Sequence, residues 1–412
     1  MRIFSHYCIF LAWLALAGSA TAADDEPYRV DWRIALEAGN DTATVTLDIA
    51  DGGAVHDVRF DFDPKRFSDF SGEGKLTVDG NSVHWEPARK NARLQYKTRV
   101  TRERPNRMQE NSYDALMTDS WALFRGDRVI PRMRVVTRKG AVAQTYLHFD
   151  LPKGWTANTG WPLDEDEDTA SAYRVDDPDR RFDRPTGWMM VGELSSRRDY
   201  VGSTYFSIVA PKGSQADRAS WLTLASLVYP ELERAFGKVP EKILMVSADD
   251  PMWRGGLSGP NSFYFHSSRR AISTDGTSPL FHELTHVVTR LSGGERDDWI
   301  VEGLAEYYSI ELLRRAGGYD DDRTAAVLKS LAKRGEKADK LRQAHSSGAI
   351  TARAVGIFVA LNQEIREATN NDANLDAVVR LLMEKRRINL DDLRDAFASV
   401  AGRPSTTLAK IE

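Results

Sequence analysis

The sequence predicts an α+β multidomain protein: an all-β, sandwich-like N-terminal domain, a mixed α+β lobe and a helical C-terminal lobe. Three observations carry this expectation. Between Tyr28 and about Ile208, apolar and polar residues alternate in short runs separated by turn signals. From Ala219 onward the apolar residues recur mostly at helical spacing. Between the two, Pro211-Lys212-Gly213-Ser214 reads as a boundary. The 412 residues suffice for two or three domains and a sizeable core. The expected division is 1–22, 23–212, 213–318 and 319–412.

The first 22 residues read as a secretory signal. Arg2 supplies the positive start, Cys8 to Ala17 the apolar run, and Ala20-Thr21-Ala22 the small-x-small cleavage site. The mature chain is then expected to begin at Ala23 or Asp24, in a bacterial periplasm or the exterior. The run is too short to span a membrane, and no later stretch of about 18 apolar residues exists. Cys8 is the only cysteine, so the mature chain has no disulfide, thiol nucleophile or cysteine metal ligand.

In the β region the alternating runs are Ala43 to Ile49, Val58 to Phe62, Leu76 to Val78, Leu94 to Lys97, Ala143 to Phe149 and Ser203 to Val209. Asp51-Gly52-Gly53 and Asp79-Gly80-Asn81 mark turns. The basic run from Arg89 to Arg107 holds one aromatic, Tyr96, and the acidic run Asp164 to Asp168 lacks the glycine and spacing of a calcium loop. They read as a solvated strand edge and a solvated loop. His56, His84 and His148 read as ordinary. The formal charge of −4 argues against a protein built on nucleic-acid backbone contacts.

Beyond the boundary, Ala219 to Phe236 reads as a helix and Lys242 to Val246 as a buried strand. Gly255 to Pro260 is a glycine-rich loop leading into the short strand Ser262 to His266; together Gly255 to Phe265 could offer an edge strand to a substrate backbone. Ser278 as N-cap, with Pro279 at the first helical position, opens the next helix. Asp297 or Asp298 caps another, ending near Gly317-Gly318. Helices follow from Asp320 to about Lys333, Ile350 to Ala368, Leu375 to Met383 and Leu390 to Val400. Gly335 to Gly348 is polar, a loop or a frayed helix.

The Ser278 helix carries His282-Glu283-Leu284-Thr285-His286. At four-residue spacing both imidazoles leave one face and can hold one Zn²⁺, with Glu283 one step round the helix as a base. Glu302, at the start of the next helix, can supply a third ligand. Three protein ligands leave a fourth position open, as a catalytic zinc site requires. Chance alone yields such a pentad in about one chain in a hundred of this length and composition. The apolar stripe of Leu280, Phe281, Leu284, Val287, Val288 and Leu291, and the Glu-bearing helix that follows, reduce that risk.

With Trp299 and Glu302-Gly303-Leu304-Ala305, the pentad resembles the gluzincin zinc metallopeptidases, most closely the glycyl aminopeptidase family and more distantly the leukotriene A4 hydrolase-type aminopeptidases. Leu361 to Arg366 and Asn374 to Arg380 resemble that family's helical segment. The resemblance implies a thermolysin-like catalytic lobe, Zn²⁺ as cofactor, and peptide or protein substrates held in a cleft between the two later lobes. It implies His282, His286 and Glu302 as zinc ligands and Glu283 as general base. Glu306, one turn past Glu302, is placed to orient a ligand imidazole. Two family features are absent from their expected positions. Gly255-Gly256-Leu257-Ser258-Gly259 has no Glu to grip a substrate amino terminus, and no Tyr follows Tyr319 to stabilise an oxyanion. Arg353 and His345 are the candidates to replace that tyrosine, and the competing reading of each is an ordinary surface or loop residue. Aminopeptidase and endopeptidase action both stay open, and the competing class is a decayed, zinc-containing peptide-binding protein.

Overall fold

The computed structural model describes residues 26–104, 112–164, 172–176 and 182–412. The expected signal segment and most of the acidic run lie outside the described residues. Three sheets build the N-terminal region. A six-stranded sheet includes Glu26–Ala35, Thr42–Ile49, Ala92–Arg99 and Ala141–Asp150; a four-stranded sheet includes Val55–Asp61 and Ser82–Pro87. A five-stranded sheet includes Ser112–Met117, Trp121–Arg125 and Trp188–Gly192, with the short helix α1 (Gly126–Val129) beside it. Their inward residues form one core containing Trp32, Leu47, Tyr96, Trp85, Phe124 and Val191. The alternation in the sequence is the signature of these one-face-buried strands.

The basic run is a correction. Ala92–Arg99 is an interior strand, between Thr42–Ile49 and Phe67–Gly72, and not an edge. Its outward cations pair with acids of those neighbours: Arg93 with Asp48 at 2.6 Å, Lys97 with Asp69 at 2.9 Å and Arg99 with Asp41 at 2.7 Å.

The second unit rests on a mixed five-stranded sheet in the order Leu194–Val201, Thr204–Pro211, Lys242–Val246, Ser262–Phe265, Gly256–Gly259. The boundary expected at 212/213 falls inside this layer, because Thr204–Pro211 pairs in parallel with Lys242–Val246. Helix α2 (Arg218–Phe236) is the crossover between them. Helices α3 (Pro279–Thr289), α4 (Asp298–Arg315), α5 (Asp321–Gly335), α6 (Ala349–Ala368), α7 (Leu375–Met383) and α8 (Leu390–Ala401) follow. The division expected at 318/319 is not a break in packing either. One apolar cluster contains Phe206, Phe265, Phe281, Trp299, Phe358 and Phe397, so sheet, α3 and the C-terminal helices share a core. Gly303 lets α4 and α6 approach closely: a Cβ there would lie 2.4 Å from that of Ala354.

The N-terminal region is docked onto the second sheet. Leu123, Trp188 and Met190 pack on Val209, Leu244 and Tyr264 in a third apolar cluster. Trp188 donates its backbone N–H to Ser262 Oγ at 2.8 Å and its indole N–H to the Leu257 carbonyl at 2.7 Å. The edge strand Gly256–Gly259 is thus held from behind by the β region.

Candidate metal centre

Helix α3 starts where Ser278 accepts the Phe281 N–H at 3.2 Å, with Pro279 in the first turn, and Arg290 ends it in the left-handed conformation. Ser278 is fully buried and its hydroxyl also donates to the Ala271 carbonyl at 2.7 Å, which ties the preceding loop to the helix start. The next helix begins differently from expectation. Asp297 holds the N-cap position of α4, but its carboxylate makes no cap bond. It takes Arg342 at 2.7 and 3.0 Å, the Trp299 indole N–H at 3.3 Å and the Leu390 N–H at 3.2 Å.

These two starts bring His282, His286 and Glu302 together, with one ligand atom from each within 4.8 Å of the others. His282 Nε2 lies 3.1 Å from His286 Nε2 and 3.3 Å from Glu302 Oε2, and His286 Nε2 lies 3.4 Å from Glu302 Oε1. Glu306 Oε2 stands 3.1 Å from His282 Nδ1, which leaves Nε2 of that ring toward the other donors. Two imidazole nitrogens and one carboxylate facing one point are a zinc donor set, and the residues fit that ion.

Electrostatics follow from this crowding. Burial opposes charge on His282, but Glu302 and Glu306 outweigh it and raise its pKa to about 10. Glu302 is pulled well below the ordinary carboxylate range: burial raises it, and the two imidazoles more than reverse that. Glu283 is pushed up, chiefly by burial. No group hydrogen-bonds its carboxylate among the described residues, which leaves it free to take a proton.

The wall opposite Glu283 is the edge strand. A Cβ on Gly256 would sit 2.8 Å from Glu283 Oε1, so any larger residue there would displace the Glu283 side chain. The stretch read as a glycine-rich loop is therefore partly strand, antiparallel to Ser262–Phe265, with its outer edge unpaired among the described strands.

The two candidates for oxyanion contact fare differently. Arg353 is exposed on α6, its guanidinium donating to the Ala338 carbonyl at 3.0 Å, and it makes no bond to the donor cluster. His345 is exposed in the 336–348 loop, next to Ser346, whose N–H donates to Asp298 Oδ2 at 2.6 Å. Burial raises the Asp298 pKa, and its carboxyl feels Glu302, His345 and His286 together, which puts His345 at the rim of the site. Sequence reading did not single out Asp298 for this link or Trp188 behind the edge strand; both act through contacts distant along the chain. His84 and His148 pair with Asp57 and Asp31 in the β region.

Neither a family model nor a curated protein matches the sequence. Solved structures do match. An aminopeptidase N family protein from Idiomarina loihiensis superposes with a TM-score of 0.61 at 15% identity, over 86% of this chain and 70% of that one. A two-domain M1 zinc metallopeptidase bound to L-arginine gives 0.61 at 13% identity, over 92% and 91%. An M1 zinc metallopeptidase of Deinococcus radiodurans, bound as a variant to a Tyr-Ser-Ala substrate, gives 0.60 at 13%, over 94% and 92%. The chain has the fold of these metallopeptidases. A β-rich N-terminal part and a helical C-terminal region are common to them and to this chain. No helix among the described residues is long and apolar enough to cross a membrane.

Proposed function

We propose that the chain is a zinc-dependent peptidase of the gluzincin aminopeptidase type, and that His282, His286 and Glu302 hold the metal. The observation that carries this reading is the unbonded, half-buried Glu283 carboxylate beside a three-donor cluster. A protein that merely stored zinc for structure or peptide binding has no use for that carboxylate, which counts against the decayed-binder reading. When bound, zinc lowers the pKa of a water to about 7 and polarises a carbonyl. Glu283 takes the proton of the attacking water and passes it to the leaving amine. Glu306 fixes the His282 ring. The free edge of Gly256–Gly259 pairs with the substrate backbone and lays the scissile bond beside Glu283. His345, at the rim, is our candidate for contact with the developing oxyanion; Arg353, tied to Ala338, is the weaker one.

The neighbours named above bind arginine and a Tyr-Ser-Ala substrate, which supports a peptide substrate here. We also infer export, on the signal-like residues 1–22. The test is product mapping on peptides with free and blocked amino termini, with and without chelator. Cleavage that stops with chelator and returns with zinc is expected. One-residue products from free termini alone define an aminopeptidase, and internal cuts of blocked peptides an endopeptidase. No cleavage by the zinc-loaded chain returns the binding protein.

A further inference from the structure

A cavity of about 460 Å³ opens where the ends of α2 and α4 meet α6 and the first turn of α7. Its α4 residues lie about 14 to 20 Å along that helix from Glu302, and nothing in the proposed chemistry uses it. Five arginines line it: Arg234, Arg314, Arg315, Arg366 and Arg380. The carboxylates there are Glu311, Asp372 and Asp376. Two of these are fully occupied. Arg315 binds Glu311 at 2.7 Å and Asp376 at 2.6 and 3.0 Å, and Arg314 binds Glu311 at 2.8 and 2.7 Å. The Tyr308 hydroxyl also donates to Asp376, at 2.7 Å. Arg234 pairs with Glu231 on its own helix.

Arg366 and Arg380 are held in another way. Arg366 donates Nε to Asn371 Oδ1 at 2.8 Å. Arg380 donates Nη1 to the carbonyls of Arg234 and Ala235 at 3.0 and 2.9 Å. Neutral acceptors fix both guanidiniums, and neither has a carboxylate within ion-pair distance among the described residues. Asp372 is the single carboxylate of the lining left to offset them. Asn362 and Asn374 turn their oxygens to the Leu375 and Asp376 N–H groups, at 3.0 and 2.9 Å, and keep their NH₂ donors uncommitted. The first turn of α7 adds its positive dipole end. Two preset guanidinium forks beside uncommitted amide donors match an anion with several oxygens.

We propose that this pocket binds a phosphate-type anion of at least two charges through Arg366 and Arg380. Arg380 also lines a second cavity, of about 540 Å³, walled by Phe236, Val239, Pro240, Val288 and Met383. A phosphate carrying an acyl chain has an apolar wall there, so free phosphates and lipid headgroups are both sources of the same chemistry. The pocket stands apart from the metal centre, and its test is independent of peptidase activity.

Inorganic pyrophosphate titrated into the full chain at low salt should bind saturably, with Kd below about 1 mM, and R366Q/R380Q should weaken it at least tenfold. R197Q, on an exposed strand, should bind as the parent does, and single R366Q and R380Q chains stand in if the double variant melts early. No saturation by about 10 mM, or equal affinity in a folded double variant, overturns the proposal. Sedimentation with phosphatidylglycerol but not phosphatidylcholine vesicles, lost in the double variant, assigns a lipid headgroup. Pyrophosphate binding without vesicle binding assigns a free phosphate. Vesicle binding that survives the double variant, without pyrophosphate binding, counts against the site.

Discussion

On the proposed function, Glu306 and Gly256 are the two residues that tune the centre once the ligands are in place. Glu306 holds His282 Nδ1 at 3.1 Å and is itself nearly buried. Glu306→Gln should lower zinc affinity by about 10- to 100-fold, read by competition with a chelator; unchanged affinity removes its orienting role. Gly256→Ala pushes a methyl toward Glu283 Oε1, 2.8 Å away, and should cut kcat by about 100-fold while zinc stays bound. Unaltered turnover in that variant contradicts the contact. At this scale the sequence was readable wherever one helix sets the geometry. The spacing of His282 and His286, and of Glu302 and Glu306, requires only a helical repeat. Arg353 and His345 were not placeable in that way. Their positions depend on how the 336–348 loop folds back onto α4 and α6, through Arg342 on Asp297 and Ser346 on Asp298.

Among the elements, the start of α4 is the joint that joins the most distant pieces. Asp297 is almost fully buried and gathers Arg342, Trp299 and Leu390 from three parts of the chain. Burial pushes its carboxyl up, but Arg342 and the Leu390 amide outweigh that and hold it below the ordinary range. A depressed carboxylate stabilises fully above its unfolded pKa, about 3.9, and loses that contribution as pH falls through the folded value. Asp297→Asn should therefore cost about 2 kcal/mol at pH 7, and its deficit against the parent should shrink below about pH 4. Denaturant unfolding across pH measures this, and a deficit that is constant with pH speaks against the ion pair. The helices were legible because their signals are local: Ser278-Pro279 opens α3, and apolar residues at helical spacing mark α7 and α8. Trp188–Gly192 was missed for the opposite reason. All five of its residues are buried, so the strand lacks alternation.

In the molecule as a whole, the β region is a support for the site and not a separate appendage. Trp188 binds the Leu257 carbonyl in the strand that runs past Glu283. Trp188→Phe should lower kcat/KM about tenfold with zinc content unchanged, because the edge strand loses its rear anchor; unchanged kinetics place the β region outside catalysis. This support was not legible, since the contacts join residues far apart in sequence. The same holds for the pairing of Thr204–Pro211 with Lys242–Val246 across α2, which erased the expected boundary. The function we propose for the whole assembly is metal-dependent peptide hydrolysis with Glu283 as the base. The most direct measurement is peptide cleavage by the parent and by Glu283→Gln at matched zinc content. The account predicts about one zinc bound in each, with turnover in the variant lower by at least about 100-fold. A variant that cleaves nearly as fast as the parent, or a parent that cleaves undiminished in excess chelator, contradicts it.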